Sequence, residues 1–314
     1  MIESVNKEFH NNASLMFYHL DPRWCSHTDF DYMIEQGYVN ALRLTMDGYG
    51  TTLYGCKKAA ENGMPVWIVP PIFLPKLQTI DEYMKGIKDF TDKLEAEGVL
   101  DAVIGFQWDE PLLKKGHTNE ALLEMTRAYA DTYGKRLFTN FSLYEIAGKR
   151  GNDGDPDFQW LLQKDCSKYL TDVGFDLYGW DLRPESQEKL TEALTARGKL
   201  HRHEPFKSGE DYYQYLTDLT LSLVEDPDKV KFWYYPCAYN CRPAGGIPLD
   251  EGYCAGHLEG FKNLLLKQKN PGGLCVYTYK LFLETHLHRK NSDKWMHYDE
   301  VCKNACKELT NYKF

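Results

Sequence analysis

The chain has no apolar run approaching the roughly 20 residues that span a bilayer. Its start, Met1–Ala13, is polar with charges of both signs and no apolar stretch behind it, so nothing there resembles a secretory leader. Positive charge is not in excess either. The 37 Lys and Arg stand against 46 Asp and Glu, a net charge of −9 that argues against nucleic acid or an anionic membrane as a main partner. The cysteines lack the pattern of a disulfide framework: nine, an odd number, are scattered through 314 residues, as expected of reduced thiols in a cytoplasmic protein. Cys237, Cys241 and Cys254 lie close in sequence but match no familiar zinc spacing, and read as buried or loop thiols. No metal or other cofactor is expected. With no internal repeat, low-complexity tract or interdomain linker in view, the expectation is one domain over residues 1–314.

What is present is an alternation of short apolar runs with amphipathic stretches. Strands are expected at Leu15–His19, Asn40–Thr45, Val66–Pro70, Val103–Trp108, Arg136–Asn140, Gly174–Tyr178, Lys231–Tyr235 and Leu274–Tyr279, all rich in aromatic or β-branched residues as in parallel strands covered on both faces. Thr79-Ile-Asp-Glu82 has the form of a capping box, with Ile80, Tyr83, Met84, Ile87, Phe90 and Leu94 following at helical spacing and Gly98 as a stop. A second helix follows Thr118 and ends before Gly134, and a third is expected from Ser186 to Arg197. Eight alternations favour a closed α/β architecture, a (β/α)8 TIM barrel, over an open doubly wound sheet. Lys199–Phe206 and the helical Asp211–Val224 read as an insertion after the sixth strand, with a ninth strand–helix pair as the other option.

A barrel places its chemistry beyond the carboxyl ends of the strands. Those positions supply His19 and Asp21, then Arg43 and Asp47, then Trp108, Asp109, Glu110 and Pro111. The later strands supply Asn140 and Ser142, then Tyr178, Trp180 and Asp181, then Tyr235, Tyr239 and Asn240, and finally Tyr277, Tyr279 and Lys280. The strongest signal is Ile104 to Pro111, Ile-Gly-Phe-Gln-Trp-Asp-Glu-Pro, a strand running straight into two acids. A carboxyl group desolvated beside Trp108 tends to stay protonated, as a proton donor to a departing glycosidic oxygen must. A surface Asp-Glu turn, or an acid pair at a helix N-terminus, is the bland reading of the same residues.

Trp-Asp-Glu-Pro at the end of the fourth strand resembles the acid motif of barrel glycoside hydrolases. Phe232 to Cys237, Phe-Trp-Tyr-Tyr-Pro-Cys, and Gly272 to Tyr279, Gly-Gly-Leu-Cys-Val-Tyr-Thr-Tyr, are similar to the last two strands of barrels related to β-N-acetylgalactosaminidases with an adjacent Asp–Glu pair. The resemblance covers strands four to eight. It implies a retaining, substrate-assisted mechanism on a 2-acetamido sugar, in which the acetamido oxygen attacks its own anomeric carbon. By position, Glu110 would be general acid and then base, Asp109 would orient the acetamido group, and Tyr235 or Tyr277 would hydrogen-bond its carbonyl. No accessory β-sandwich is visible, which favours a small or intracellular substrate over a polymer.

Other readings stay open. Glu110 can work with a second carboxylate, Asp181 or Asp21, with Asp47 and Glu204 behind them, and a separation of about 5–5.5 Å or about 6.5–9.5 Å would distinguish retention from inversion. The end of the seventh strand carries no Glu, which weakens the retaining form of that scheme. His201 with His203 and His286 with His288 form two His-X-His pairs, neither at the end of a strand. A barrel that binds sugar without cleaving it is the non-enzymatic reading, and Trp180, Tyr239 and Trp295 would stack on a sugar in either case. Arg23, Arg43, Arg183, Arg242 and Lys280 are candidates for an acidic substituent, or structural ion-pair partners.

Overall fold

The computed structural model describes residues 12–18, 26–74, 76–109, 118–142, 164–176, 209–236, 251–277 and 296–312. Its strands are β1 (Ser14–Phe17), β2 (Leu42–Thr45), β3 (Val66–Val69), β4 (Val103–Asp109), β5 (Arg136–Ser142), β6 (Asp172–Asp176), β7 (Lys231–Tyr234) and β8 (Pro271–Val276). They form one parallel 8-stranded sheet in the order β2-β3-β4-β5-β6-β7-β8-β1. A helix follows every strand: α1 (His27–Glu35), α2 (Tyr49–Glu61), α3 (Ile80–Ala96), α4 (Asn119–Tyr133), α5 (Lys164–Ser167), α6 (Gly209–Ser222), α7 (Glu251–Leu265) and α8 (Met296–Asn311). This is a (β/α)8 barrel, and the open doubly wound sheet is set aside because β1 joins β8 rather than a central strand.

All eight expected strands are present, with shifted ends. The largest shift is in β8, which runs Pro271–Val276 where Leu274–Tyr279 was expected. Gly272 and Gly273 do not read as a strand because they offer no side chain to a periodic pattern. Here the neighbouring strand fills their space: a Cβ on Gly273 would lie 2.5 Å from Cζ3 of Trp233. The helix ends follow local chemistry as expected. Thr79 and Glu82 form a reciprocal capping box at α3, and Gly98 after it has φ 71°. Thr118 accepts from the Ala121 N–H at 3.1 Å to open α4, and Gly134 closes it at φ 57°.

The helix expected within Asp211–Val224 is α6, the crossover from β6 to β7. Tyr213 stacks on Phe175 of β6 with rings 6.2 Å apart, and the hydroxyls of Thr217 and Tyr234 of β7 are 2.6 Å apart. Residues 177–208, which include the expected Ser186–Arg197 helix and the Lys199–Phe206 segment of the insertion, lie outside the described residues.

Closure between β1 and β2 does not use a strand ladder among the described residues. Asn40, just before β2, takes its place. The Leu15 N–H donates to Asn40 Oδ1 at 2.5 Å, and the Asn40 N–H donates to the Leu15 carbonyl at 3.1 Å. Asn40 Nδ2 donates to the Ala13 carbonyl at 3.0 Å and to Thr310 Oγ1 of α8 at 2.9 Å. One amide therefore joins the two edge strands and anchors the last helix across the seam.

The alternation of side chains along each strand yields two cores. The larger lies between strands and helices. The inner one contains Met16, Ala41, Trp67, Ile104, Phe138, Trp233 and Cys275, capped by Tyr18 and Tyr235. Trp67 meets Trp233 edge-on at 5.6 Å, and Phe138 stacks on Trp233 at 4.8 Å. Gly105 makes room for this plug, since a Cβ there would lie 2.5 Å from Cζ3 of Trp67. The barrel is thus filled at its waist, and the open chemistry is confined to its carboxyl end.

Candidate active site

Strand parity decides which residues reach that end. On β4, Gln107 and Asp109 share the inward face, and Arg43 on β2 and Asn140 on β5 face them. Tyr18, Tyr235 and Tyr277 follow directly on β1, β7 and β8. Across the β4–β5 ladder, Asp109 and Asn140 are register partners.

Arg43 is the centre of the cluster and is 1% exposed. Its Nε donates to Gln107 Oε1 at 2.6 Å, its Nη2 lies 3.2 Å from Asp109 Oδ2, and its guanidinium sits 3.8 Å over the Tyr18 ring. Burial opposes the Arg43 charge, but Asp109 together with Tyr18, Cys275 and Tyr235 outweighs it, and the guanidinium is held above its usual range. Tyr18 donates its hydroxyl to Asp109 Oδ2. Both described contacts of Asp109 are therefore with donors, as befits a carboxylate acting as acceptor. Its other oxygen, Oδ1, is buried and has no hydrogen-bond partner among the described residues, while the side chain as a whole is 20% exposed.

Gln107 carries the arrangement further across the barrel. Its Nε2 donates to Asn140 Oδ1 at 2.8 Å and to the Tyr235 hydroxyl at 2.6 Å. Asn140 is fully buried, and its Nδ2 has no hydrogen-bond partner among the described residues. Burial pushes the Tyr235 phenol well above its usual value, so it stays neutral at physiological pH. Tyr277 meets the Tyr18 ring edge-on at 5.3 Å.

Of the expected site residues, the structure brings together Asp109, Arg43, Asn140, Tyr235 and Tyr277. Trp108 is a correction: it is 1% exposed and belongs to the core between strands and helices, because parity turns it away from Gln107 and Asp109. It does not line the mouth, so a carboxyl group there is not desolvated by its ring. Arg43 takes the ion-pair role that was weighed for it. Asp47 is exposed beyond β2. Glu110, Asp21, Tyr178, Trp180, Asp181, Tyr239 and Tyr279 lie outside the described residues, as do Glu204, Trp295, both His-X-His pairs, Arg23, Arg183, Arg242 and Lys280. Cys254 is buried on α7, and Cys237 and Cys241 lie outside the described residues. Among the described residues, no group of three or more His, Cys, Asp or Glu is placed to hold a metal, and no helix is long and apolar enough to cross a membrane.

Two members of the cluster were not singled out from sequence: Gln107 and Tyr18. Parity was the available signal, since Gln107 stands two residues before Asp109 and Tyr18 two after the inward Met16.

No protein-family model matches the chain, and no curated protein matches it by sequence. Solved structures do match. A GH2 β-galacturonidase from Eisenbergiella tayi is similar with a TM-score of 0.54 at 12% identity, over 92% of this chain and 48% of that one. The GH113 β-mannanase from Alicyclobacillus acidocaldarius gives 0.53 at 9% identity, over 95% of this chain and 98% of that one. A Ruminococcus gnavus β-glucuronidase gives 0.52 at 13% identity, over 85% of this chain and 44% of that one. The chain thus spans about half the length of the galacturonidase and the glucuronidase, and nearly all of the mannanase. At these identities the likeness establishes the barrel fold and nothing finer.

Proposed function

We propose that this barrel is a glycoside hydrolase that cleaves a 2-acetamido sugar with retention, using Glu110 as general acid/base and the acetamido oxygen as nucleophile. The observation that carries this reading is the state of Asp109. One oxygen is occupied by Tyr18 and Arg43, so the carboxylate is fixed in orientation, and the other is buried with no hydrogen-bond partner among the described residues. A fixed acceptor suits a substrate N–H better than it suits proton donation to a leaving group. The names of the three similar structures, all enzymes of glycosidic bonds, support the hydrolase class.

In this mechanism Glu110, the next residue along, donates a proton to the departing glycosidic oxygen. The acetamido carbonyl oxygen attacks C1 from the opposite face, and Asp109 accepts the acetamido N–H and stabilises the positive charge that develops there. Glu110 then takes a proton from water as that water opens the bicyclic intermediate at C1. Two inversions give net retention.

The test is a panel of aryl glycosides, 2-acetamido and plain hexosides together, with the anomeric form of the first product followed by NMR. Turnover confined to 2-acetamido sugars with retention is expected, and Glu110→Gln should abolish it while ligand affinity stays near that of the wild type. Cleavage of plain hexosides would replace the assisted scheme with the two-carboxylate one, using Asp181 or Asp21. Binding without turnover of any member would leave a carbohydrate-binding barrel.

A further inference from the structure

We infer that Gln107 is a positioning residue that sets the polarity of the Asn140 amide, so that Asn140 offers an N–H donor that selects the carbonyl oxygen of the acetamido substituent. This rests on the reading above and assigns the carbonyl partner to Asn140 rather than to Tyr235 or Tyr277.

The argument is one of hydrogen-bond bookkeeping in a buried chain of groups. An arginine guanidinium has donors only. Arg43 Nε donates to Gln107, so the atom of Gln107 that faces it must be Oε1, and the amide cannot turn over without setting two donors against each other. Gln107 Nε2 is thereby directed at Asn140 and Tyr235. Asn140 must meet it with Oδ1, and the same reasoning forbids its reversal. The polarity thus propagates from Arg43 through Gln107 and leaves Nδ2 as the remaining atom of the Asn140 amide.

That Nδ2 is buried and has no hydrogen-bond partner. A buried, unmade donor is destabilising and calls for a reason. Asn140 is the register partner of Asp109, whose Oδ1 is likewise without a partner. One unfilled acceptor and one unfilled donor on adjacent strands match a secondary amide, which presents one N–H and one carbonyl. Accepting from Gln107 does not use the Tyr235 O–H, so the preference for Asn140 rests on its unpartnered Nδ2 alone. The contact from Nδ2 is direct or passes through one water.

The experiment reads ligand selectivity in wild-type protein and two variants. Gln107→Glu keeps the bond from Arg43 but presents a second acceptor to Asn140, which then turns its Nδ2 inward and shows an oxygen outward. Asn140→Asp replaces the donor with an oxygen directly. By calorimetry, the wild type should bind N-acetylglucosamine or N-acetylgalactosamine about tenfold or more tightly than the parent glucose or galactose. Both variants should bring that ratio to within about twofold. A purely structural role for Gln107 would lower stability without moving the ratio. Preference kept in a folded Gln107→Glu or Asn140→Asp variant overturns the assignment and leaves the acetamido reading intact. No preference in the wild type overturns both. If neither variant folds, a crystal structure of the wild type with the preferred N-acetyl sugar decides, since Nδ2 must lie within about 3.2 Å of the carbonyl oxygen or of a single bridging water.

Discussion

The barrel holds an arginine–aspartate pair at each end, and the two are built differently. At the amino end, Arg136 opens β5 and Asp172 opens β6. Both Asp172 oxygens are occupied: Oδ1 by Arg136 Nη2 and by Trp233 Nε1 at 2.8 Å, Oδ2 by Arg136 Nε at 2.9 Å and by Thr171 Oγ1 at 2.7 Å. The Arg136 guanidinium also lies 4.9 Å from the centre of the Trp67 ring. At the carboxyl end, Arg43 meets only one oxygen of Asp109, and the other is buried with no hydrogen-bond partner among the described residues. The same two residue types make a closed structural plug in one place and a half-satisfied site in the other. The lesson is that completeness of pairing, more than the presence of charge, separates support from function in this molecule.

The comparison can be broken first at its closed end. Asp172→Asn leaves the Arg136 charge without its counter-ion in a buried setting, and should cost about 3–5 kcal/mol of unfolding free energy in a urea titration. Specific activity of the folded fraction should change little. At the open end the balance should reverse. Asp109→Asn is expected to lower kcat/KM on the preferred glycoside by about a hundredfold, about 2.7 kcal/mol of transition-state stabilisation, on top of the stability lost by leaving the buried Arg43 without its counter-ion. Equal activity losses in the folded fractions of the two variants would erase the distinction.

Smaller effects sharpen it. Tyr18→Phe removes the hydroxyl that fixes Asp109 Oδ2 but keeps the ring under Arg43, and should cost about 1 kcal/mol of stability and up to about tenfold in kcat/KM. At the closed end, Lys231 is lowered to about 8 from 10.5 by burial and by the Arg136 charge, with Asp172 opposing. Its folded-state value is below its unfolded one, so between pH 8 and 10.5 the unfolded chain binds more protons, and this group makes stability rise with pH across that window. The slope stays below about 1.4 kcal/mol per pH unit, the value for one proton. Lys231→Met should remove the rise in stability curves measured from pH 8 to 10, before tyrosine ionisation of the unfolded chain counteracts it. An unchanged curve would detach Lys231 from the plug.

Much of the fold was legible because its signals are local. The Thr79–Glu82 box, the Thr118 cap and the glycines at 98 and 134 act within one helical turn, and the apolar runs of β2, β3 and β7 declare themselves within five residues or so. The start of β8 was not legible, since Gly272 and Gly273 are strand residues only because Trp233 of the neighbouring strand needs their space. Closure was not legible either, because the seam depends on Asn40 reaching Leu15, Ala13 and Thr310 at once.

The site divides in the same way. The run from Trp108 to Pro111 points by itself to acids at a strand end, and a (β/α)8 barrel locates that end at the mouth. Sequence alone did not show that Trp108 turns away into the outer core, though strand alternation contained the answer. Nor did it show Gln107 as the hub, since its partners Arg43 and Tyr235 stand 64 and 128 residues away. Spacing along the chain determines which residues share a face of one strand. Which of them meet across the barrel, and which oxygen of Asp109 is left unpaired among the described residues, is decided only when eight strands close and bring inward side chains from all sides onto one axis.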